Sequence, residues 1–169
     1  MTATAAPATT ITTTRRRRRT HGSYAPPVAE MNPAEAQAFL EEPVRPAMLA
    51  TVRPDGRPHL TPIWIDLDDD GCVVFTTGAD TVKGRALRSE PRVAICVDDD
   101  RPPFSYVLIE GTAQVSTDPD EMLVWATRIG GRYMGADRAE EFGRRNAVDT
   151  ELLVRVTPTR IVSRKNVSD

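Results

Sequence analysis

Residues 76–88, TTGADTVKGRALR, follow the apolar segment 72–75 and lead into a short basic segment. Gly78 offers a turn, and three cations follow it within about one and a half helical turns: Lys83, Arg85 and Arg88. A helix N-terminus attracts anions through its free backbone N–H groups and its dipole. Lysine adds a point charge and arginine a pair of hydrogen bonds. The stretch predicts a site for a phosphate-like anion; the alternative is a solvated basic helix between two strands.

Charge is unevenly distributed along the 169 residues. The chain has 22 Lys and Arg against 24 Asp and Glu, and residues 1–29 contain five arginines and no acid. The remainder therefore has 17 basic against 24 acidic residues. A domain this acidic is a poor general ligand for nucleic acid, so a local basic site within it would select a particular anion. No apolar run approaches the ~20 residues of a membrane-spanning helix, so no membrane partner is expected.

The cysteine and histidine residues predict neither a metal site nor nucleophilic catalysis. Cys72 and Cys96 stand in separate apolar segments without CxxC spacing, which favours buried free thiols and a reducing, cytoplasmic compartment. His59 is the one histidine beyond residue 30, too few for the usual zinc sites. No nucleophile-elbow motif accompanies it, so we expect it on a strand face or in a turn.

Two regions are predicted. Residues 1–30 form a tail rich in Arg, Thr and Pro, which we expect to be disordered, and residues 31–169 form one folded domain. Arg15–Arg19 is not followed by an apolar segment, so a twin-arginine export signal is not expected. The tail is interpreted either as an arm for acidic surfaces or as functionless sequence before a natural start at Met31.

Turn and cap signals divide the domain into helices and strands. Asn32-Pro33-Ala34-Glu35 is typical of a helix start and predicts a helix to about Glu42. Pro62 inside a strand predicts an edge or a bulge, and Gly111 predicts a bend. The predicted strands cover 47–53, 58–66, 72–77, 92–97, 106–115, and 152–162 with a break at Pro158. Six or so antiparallel strands joined by short turns favour a barrel with its helices outside.

Two further helices are predicted in the second half of the chain. The first follows the cap Asp118, and Gly130-Gly131 is expected to fray or end it. The second opens at a capping box, Asp137-Arg138-Ala139-Glu140, and runs to about Arg145.

Motifs in this order resemble the pyridoxamine 5′-phosphate oxidase-like split β-barrel superfamily. They are ATVRPDGRP (50–58), TPIW (61–64), TT (76–77) followed by KGRALRSEPRV (83–93), IEGTA (109–113) and ATRIGGRYMG (126–135). Over roughly residues 32–164 the chain is similar to the B-type branch of flavin/deazaflavin oxidoreductases, which use coenzyme F420. The resemblance implies a mainly β (α+β) fold: a homodimeric split β-barrel of about six antiparallel strands, with peripheral helices and cofactor sites between the subunits.

The resemblance also implies roles for particular residues. The segment at 76–88 would hold the cofactor phosphate and its anionic tail, with contacts from Thr76, Thr77, Thr81, Lys83 and Arg85. A second set would lie along the ring system: Thr61, Pro62, Ile63 and Trp64. The partner subunit would contribute Trp125, Arg128, Arg132 and Tyr133, although core packing explains Trp125 and Tyr133 equally well. No catalytic residue and no metal is assigned.

The implied function is hydride transfer between coenzyme F420 and a small organic substrate with an activated C=C or C=N bond. A Tyr, a Thr hydroxyl or water would supply the proton. The sequence shows no obvious proton-transfer residue beside the cofactor segment, which suits chemistry carried by a cofactor. It suits a non-catalytic binder of a deazaflavin or a tetrapyrrole such as biliverdin or haem equally well. Two further alternatives are an FMN-dependent oxidoreductase of the same superfamily and a scaffold dimer.

Overall fold

The structure, a computed structural model, describes residues 28–168. The strands are β1 (Ala47–Val52), β2 (Pro58–Ile63), β3 (Asp66–Leu67), β4 (Val73–Gly78), β5 (Arg92–Asp99), β6 (Ser105–Ser116) and β7 (Glu151–Arg164). The helices are α1 (Pro33–Glu41), α2 (Val82–Ser89), α3 (Pro119–Met134) and α4 (Ala139–Asn146). The predicted disorder of residues 1–27 lies outside the described residues. Ala29, inside the predicted tail, already pairs with Lys165 at the end of β7.

The seven strands form one curled antiparallel sheet in the order β2-β1-β5-β6-β7-β4-β3. Its inner face holds the main core, to which each strand contributes on alternate positions. Fully buried members include Leu49, Phe75, Ile95, Ile109 and Val154. The predicted split β-barrel is confirmed, with a seventh strand because Asp66–Leu67 pairs with β4. None of the helices in residues 28–168 is both long and apolar enough to cross a membrane.

Proline and glycine act at two places in the sheet. Pro62 lies in β2, an edge strand of the sheet, as predicted. Gly111 lies at a register shift, where an added Cβ would come 2.5 Å from Val156 Cγ1. The predicted break at Pro158 is wrong, because β7 is continuous. Glu110 pairs with Arg160 and Gly111 with Pro158, so β7 has one more residue than β6 between these pairs. This extra residue forms a β-bulge next to Pro158, and the strand continues through it.

The predicted end of α3 at Gly130-Gly131 is also wrong, because the helix continues to Met134. A Cβ on Gly130 would lie 2.5 Å from Phe142 Cβ. The two small residues therefore let α4 approach α3 closely. This packing outweighs the intrinsic cost of about 1 kcal/mol for each glycine in a helix.

The helix caps differ in how well local sequence predicted them. Asn32 and Glu35 form the expected capping box, and Asp118 accepts from two backbone N–H groups. The capping box at Asp137 is wrong: Asp137 lies in a short 3-10 turn, Ala136–Arg138, and Arg138 precedes α4 without a side-chain cap. Gly135, at φ +99°, redirects the chain so that Asp137 comes too early to cap α4.

Candidate functional site

A cavity of about 350 Å³ opens where β2, β4 and α2 meet α3 and α4. Its lining comes from six parts of the chain: Pro46, Pro62, Ile63, Trp64, Thr76, Lys83, Ile129 and Asn146. Three of these residues, Pro62, Ile63 and Trp64, were predicted to lie along the ring system of a cofactor. Two others, Thr76 and Lys83, belong to the segment predicted to hold its phosphate. The fold therefore brings both predicted segments to one cavity.

The turn before α2 is built by threonine hydroxyls. Thr81 caps α2: its Oγ1 accepts from the N–H of Gly84 at 3.0 Å and donates to the carbonyl of Gly78 at 2.8 Å. The hydroxyl of buried Thr77 lies 3.2 Å from that of Thr81. Thr77 and Thr81 thus shape the turn, whereas Thr76 lines the cavity. The N–H groups of Val82 and Lys83, in the first turn of α2, have no intrahelical partner.

The start of α2 is positively charged, unlike the other helix starts. The first turn of α2 contains no acidic residue, whereas α1, α3 and α4 each have at least one. Lys83 is half-buried and forms no ion pair among residues 28–168. A cation beside a helix N-terminus is unfavourable by itself, because the dipole places positive charge there too. An anion bound in the cavity would compensate both charges.

The carboxyl group of Glu151 interacts electrostatically with Lys83. It lies opposite Gly78 in the β4–β7 pair. Burial raises the pKa of the Glu151 carboxyl, and the positive charge of Lys83 opposes that rise. The negative charge of Glu151 therefore acts against an anion at Lys83 when the carboxyl is ionised.

Arg85 points away from the cavity lining. It is exposed, and its guanidinium donates to the carbonyl of Asp80 in the turn before α2. Thr61 is half-buried on the inward face of β2, opposite Leu49, and also lies outside the lining. The cofactor contacts that the resemblance implies for Arg85 and Thr61 remain predictions.

Trp64 lines one wall of the cavity and is backed by an aromatic stack. The rings of Trp64 and Tyr133 are parallel, and Phe142 packs against Trp64 at a tilt. The Tyr133 hydroxyl donates to the carbonyl of Arg45 at 2.8 Å and accepts from the N–H of Ile65 at 3.1 Å. Burial raises the pKa of Tyr133. The phenol proton is held by the carbonyl of Arg45 and Tyr133 is not among the lining residues, so Thr76 is the hydroxyl that lines the cavity.

Two residues predicted for the partner subunit's share of the site have contacts within their own chain. Trp125 packs against Val74 and Leu153, away from the cavity, with the Arg128 guanidinium 4.3 Å from its ring centroid. Arg132 donates to the carbonyls of Leu40 at 2.6 Å and Glu41 at 3.0 Å, and pairs with Asp66 at 3.3 Å. These contacts fix α3 against α1 and β3. A contact with a partner's cofactor remains a prediction for both.

Three lining residues were not predicted from the sequence: Pro46, Ile129 and Asn146. Ile129 appeared in the sequence only within the motif at 126–135, without a role in the site. Asn146 is the last residue of α4, and its position depends on the close α3–α4 packing. No local sequence signal marks it.

Comparison with known proteins gives the family. The sequence profile of the family described as pyridoxamine 5′-phosphate oxidase matches residues 33–164. A 5a,11a-dehydrotetracycline/5a,11a-dehydrooxytetracycline reductase from Streptomyces rimosus is 31% identical over 122 residues, which are 68% of this chain and 70% of the relative. A pyridoxine/pyridoxamine 5′-phosphate oxidase from Rubrobacter xylanophilus is 33% identical over 103 residues, 59% of this chain and 45% of that oxidase.

Solved structures agree with the profile. A conserved hypothetical protein from Mycobacterium tuberculosis has a TM-score of 0.72 at 27% identity, covering 83% of this chain and 88% of that one. A protein described as an F420 reductase has a TM-score of 0.57 at 26% identity, covering 77% of this chain and 98% of that one. The profile match spans more than half of the chain, and residues from several of the quoted motifs line the cavity, among them Trp64, Lys83 and Ile129. The chain therefore belongs to the pyridoxamine 5′-phosphate oxidase family.

Proposed function

We propose that this protein is an oxidoreductase that uses coenzyme F420. It transfers a hydride between the deazaflavin and a small organic substrate with an activated C=C or C=N bond. The observation that carries the proposal is the shared cavity, in which Ile63 and Trp64 face Thr76 and Lys83. The similarity to a protein described as an F420 reductase supports the choice of cofactor.

The lining fits the two chemical parts of a deazaflavin cofactor. Trp64, Ile63 and Ile129 offer apolar surface to a flat ring system. Lys83, Thr76 and the free N–H groups at the start of α2 offer a charge and hydrogen-bond donors to a phosphate. When bound, the cofactor supplies the hydride chemistry.

The chain's own residues would bind the cofactor and orient its ring system. The stack with Tyr133 holds Trp64 at a fixed angle, so the ring surface is set before binding. Lys83 and Thr76 would fix how deeply the phosphate lies in the cavity. Because the Tyr133 hydroxyl is occupied by the carbonyl of Arg45, the proton for the product would come from Thr76 or from water.

An FMN-dependent oxidoreductase is the second candidate. The similarity to a pyridoxine/pyridoxamine 5′-phosphate oxidase favours it, and the phosphate contacts would be the same. The two candidates differ in the ligand that the purified protein prefers. Titrating the protein with oxidised F420 and, in parallel, with FMN separates them: tighter F420 binding supports the proposal, and tighter FMN binding overturns it.

The role of the cavity is tested by Lys83→Ala. Loss of a charged hydrogen-bond donor should weaken the anionic cofactor by about 1.5–3 kcal/mol. Arg88→Ala is the matched control, since it removes the same charge from an exposed position on α2. Equal affinities of the Lys83 variant and the wild type would exclude this cavity. Rapid-mixing oxidation of the reduced cofactor by enones or imines tests catalysis; no acceleration with any acceptor would count against an enzyme.

We further propose a homodimer whose interface borders the cavity. A row of apolar residues crosses five strands on the face of the sheet opposite the core. Ladder pairing places them side by side: Pro62, Met48, Cys96, Leu108 and Val162. Pro62, at one end of the row, also lines the cavity. A second copy on this face would bury the row and lie next to the cofactor.

Sedimentation tests the dimer. The wild type should have twice the mass of one chain, and Leu108→Lys should shift it to a single chain. Leu123→Lys is the control, because Leu123 is an exposed leucine on α3 outside the row. A wild type that sediments as a single chain at micromolar concentration would refute the dimer.

A further inference from the structure

Four buried side-chain atoms of residues 28–168 have no hydrogen-bond partner within that part of the chain. They are Thr51 Oγ1, Arg53 Nε, His59 Nδ1 and Arg132 Nε. Arg132 lies against α1, where its other nitrogens are bonded. The first three atoms all belong to the β1–β2 hairpin. Since buried polar atoms are nearly always bonded, three unpaired atoms on one hairpin indicate a partner that the described residues do not supply.

The three side chains share one face of the hairpin. Thr51 lies opposite His59 in the ladder. Arg53 pairs with Arg57 through its backbone N–H, one step beyond the last paired residues of the strands. Side chains alternate along a strand, so Thr51 and Arg53 are on the same face as buried Leu49. Directly opposed residues have neighbouring side chains, which places His59 beside Thr51.

The unpaired atoms have a common chemical requirement. Arg53 Nε can only donate a hydrogen bond, whereas a threonine hydroxyl and a histidine nitrogen can donate in one rotamer or tautomer. An oxyanion, which only accepts, has the chemistry to serve all three atoms. Arg53 also brings a positive charge that no acidic residue within 28–168 neutralises in an ion pair. The hydroxyl-bearing member, Thr51, is only 1% exposed. This face therefore combines a buried hydroxyl with two half-buried nitrogen-bearing side chains, a combination that suits an anion.

We propose that Thr51, Arg53 and His59 bind a second oxyanion, a carboxylate of the anionic tail of the same cofactor, which the resemblance had assigned to the segment at 76–88. The inference rests on the proposed function. Strand β2 joins the two sites: Ile63 lines the cavity beside Lys83, and His59 lies four residues earlier on the same face. At about 3.4 Å per residue the sites are roughly 14 Å apart along the strand.

The second site distinguishes the two candidate cofactors. Coenzyme F420 carries a polyglutamate tail beyond its phosphate, whereas FMN ends at its phosphate. Only the tailed cofactor presents anions to both Lys83 and the hairpin. The hairpin thus selects a deazaflavin with a tail over a flavin that shares the phosphate contacts.

The test compares three probes: F420 with its glutamate tail, the same deazaflavin phosphate without glutamates, and FMN. The tailed form should bind the wild type on the order of tenfold more tightly than the tail-less form, as expected for one or two charged hydrogen bonds. Arg53→Gln should abolish that difference and leave the affinity for the tail-less form unchanged. Thr51→Val, which keeps the shape of the side chain, should reduce the difference partly.

Arg57→Gln is the matched control. Arg57 lies on the same hairpin and the same face, but its guanidinium is bonded to Asp55 and its side chain is 72% exposed. It should retain the full preference for the tail. Thermal unfolding of each variant shows that the affinities refer to folded protein.

The outcomes separate this inference from the proposed function. Equal binding of tailed and tail-less deazaflavin by the wild type overturns the second site and leaves the proposed function standing. An Arg53→Gln variant that weakens both forms equally does the same. If neither deazaflavin binds while FMN does, the proposed function is refuted, and the second site is refuted as well.

Discussion

The indole ring of Trp64 lies parallel to the phenol ring of Tyr133, with centroids 4.9 Å apart and planes 4° from coplanar. Phe142 contacts the indole at 5.9 Å and 47°. Trp64 follows β2, Tyr133 is near the end of α3, and Phe142 is in α4. The wall of the cavity at Trp64 is thus supported by residues of both helices, and its geometry depends on how the two helices pack.

The hydroxyl of Tyr133 anchors this wall. Tyr133→Phe keeps the stacked ring but leaves the carbonyl of Arg45 and the N–H of Ile65 without that partner. We expect the free energy of unfolding to fall by about 1–3 kcal/mol, measured by urea denaturation. Tyr106→Phe is the control, since the half-buried phenol of Tyr106 forms no hydrogen bond to another residue of 28–168. Equal losses in both variants would show that the anchoring bonds contribute little.

Arg132 connects three elements through nearly buried contacts. Its side chain is 13% exposed and bonds two carbonyls at the end of α1 together with Asp66. Arg132→Met should lower the free energy of unfolding by about 2–3 kcal/mol, because hydrogen bonds to a charged group are lost.

Arg128→Met is the comparison for Arg132. It removes a more exposed pair to the same carboxylate, so its cost should stay within about 1 kcal/mol. A larger loss from Arg128→Met than from Arg132→Met would contradict this assignment. Cofactor affinity of the folded Arg132 variant tests the separate role that the resemblance implies.

Gly84 sets the distance between α2 and the preceding turn. A Cβ at this position would overlap the carbonyl oxygen of Gly78 and come 2.9 Å from that of Ala79. An alanine in a free helix would be favourable by about 1 kcal/mol. Here Gly84→Ala should instead destabilise the protein, push α2 outward and weaken cofactor binding through Lys83. Arg88→Ala serves as the helix control, and a stabilised Gly84→Ala protein with normal affinity would refute the contact.

Glu151 makes stability depend on pH. Burial raises the pKa of Glu151 in the folded protein above its ordinary value of 4.5. A raised folded pKa gives stability that is present below pH 4.5 and is lost as pH rises through the folded pKa. Glu151→Gln should therefore unfold at a higher temperature than the wild type at pH 7, and the difference should vanish toward pH 4.

The same variant reports on the cavity. Removing the negative charge beside Lys83 should tighten the binding of an anionic cofactor at pH 7. The expected change is in the dissociation constant, measured by titration at fixed ionic strength. A stability difference between the variant and the wild type that is the same at pH 4 and pH 7 would contradict the pKa argument.

Much of the fold follows from short-range signals. Asn32 and Asp118 cap their helices because each side chain reaches backbone N–H groups two or three residues away. Pro62 marks an edge strand because it has no N–H for a second neighbour. The basic turn at 76–88 was recognised for the same reason: its hydroxyls and cations are close together in the sequence itself.

Local sequence accounts for these caps and turns, for the succession of strands along the chain and for the residues suited to an anion. The order of the strands in the sheet depends on long-range packing, as do the continuation of α3 through Gly130, the bonds from Arg132 to the end of α1, and the position of Asn146 at the cavity. Each of these depends on contact between residues far apart in the chain. Packing there outweighs local propensity, because close approach of two surfaces contributes more free energy than a single residue's conformational preference.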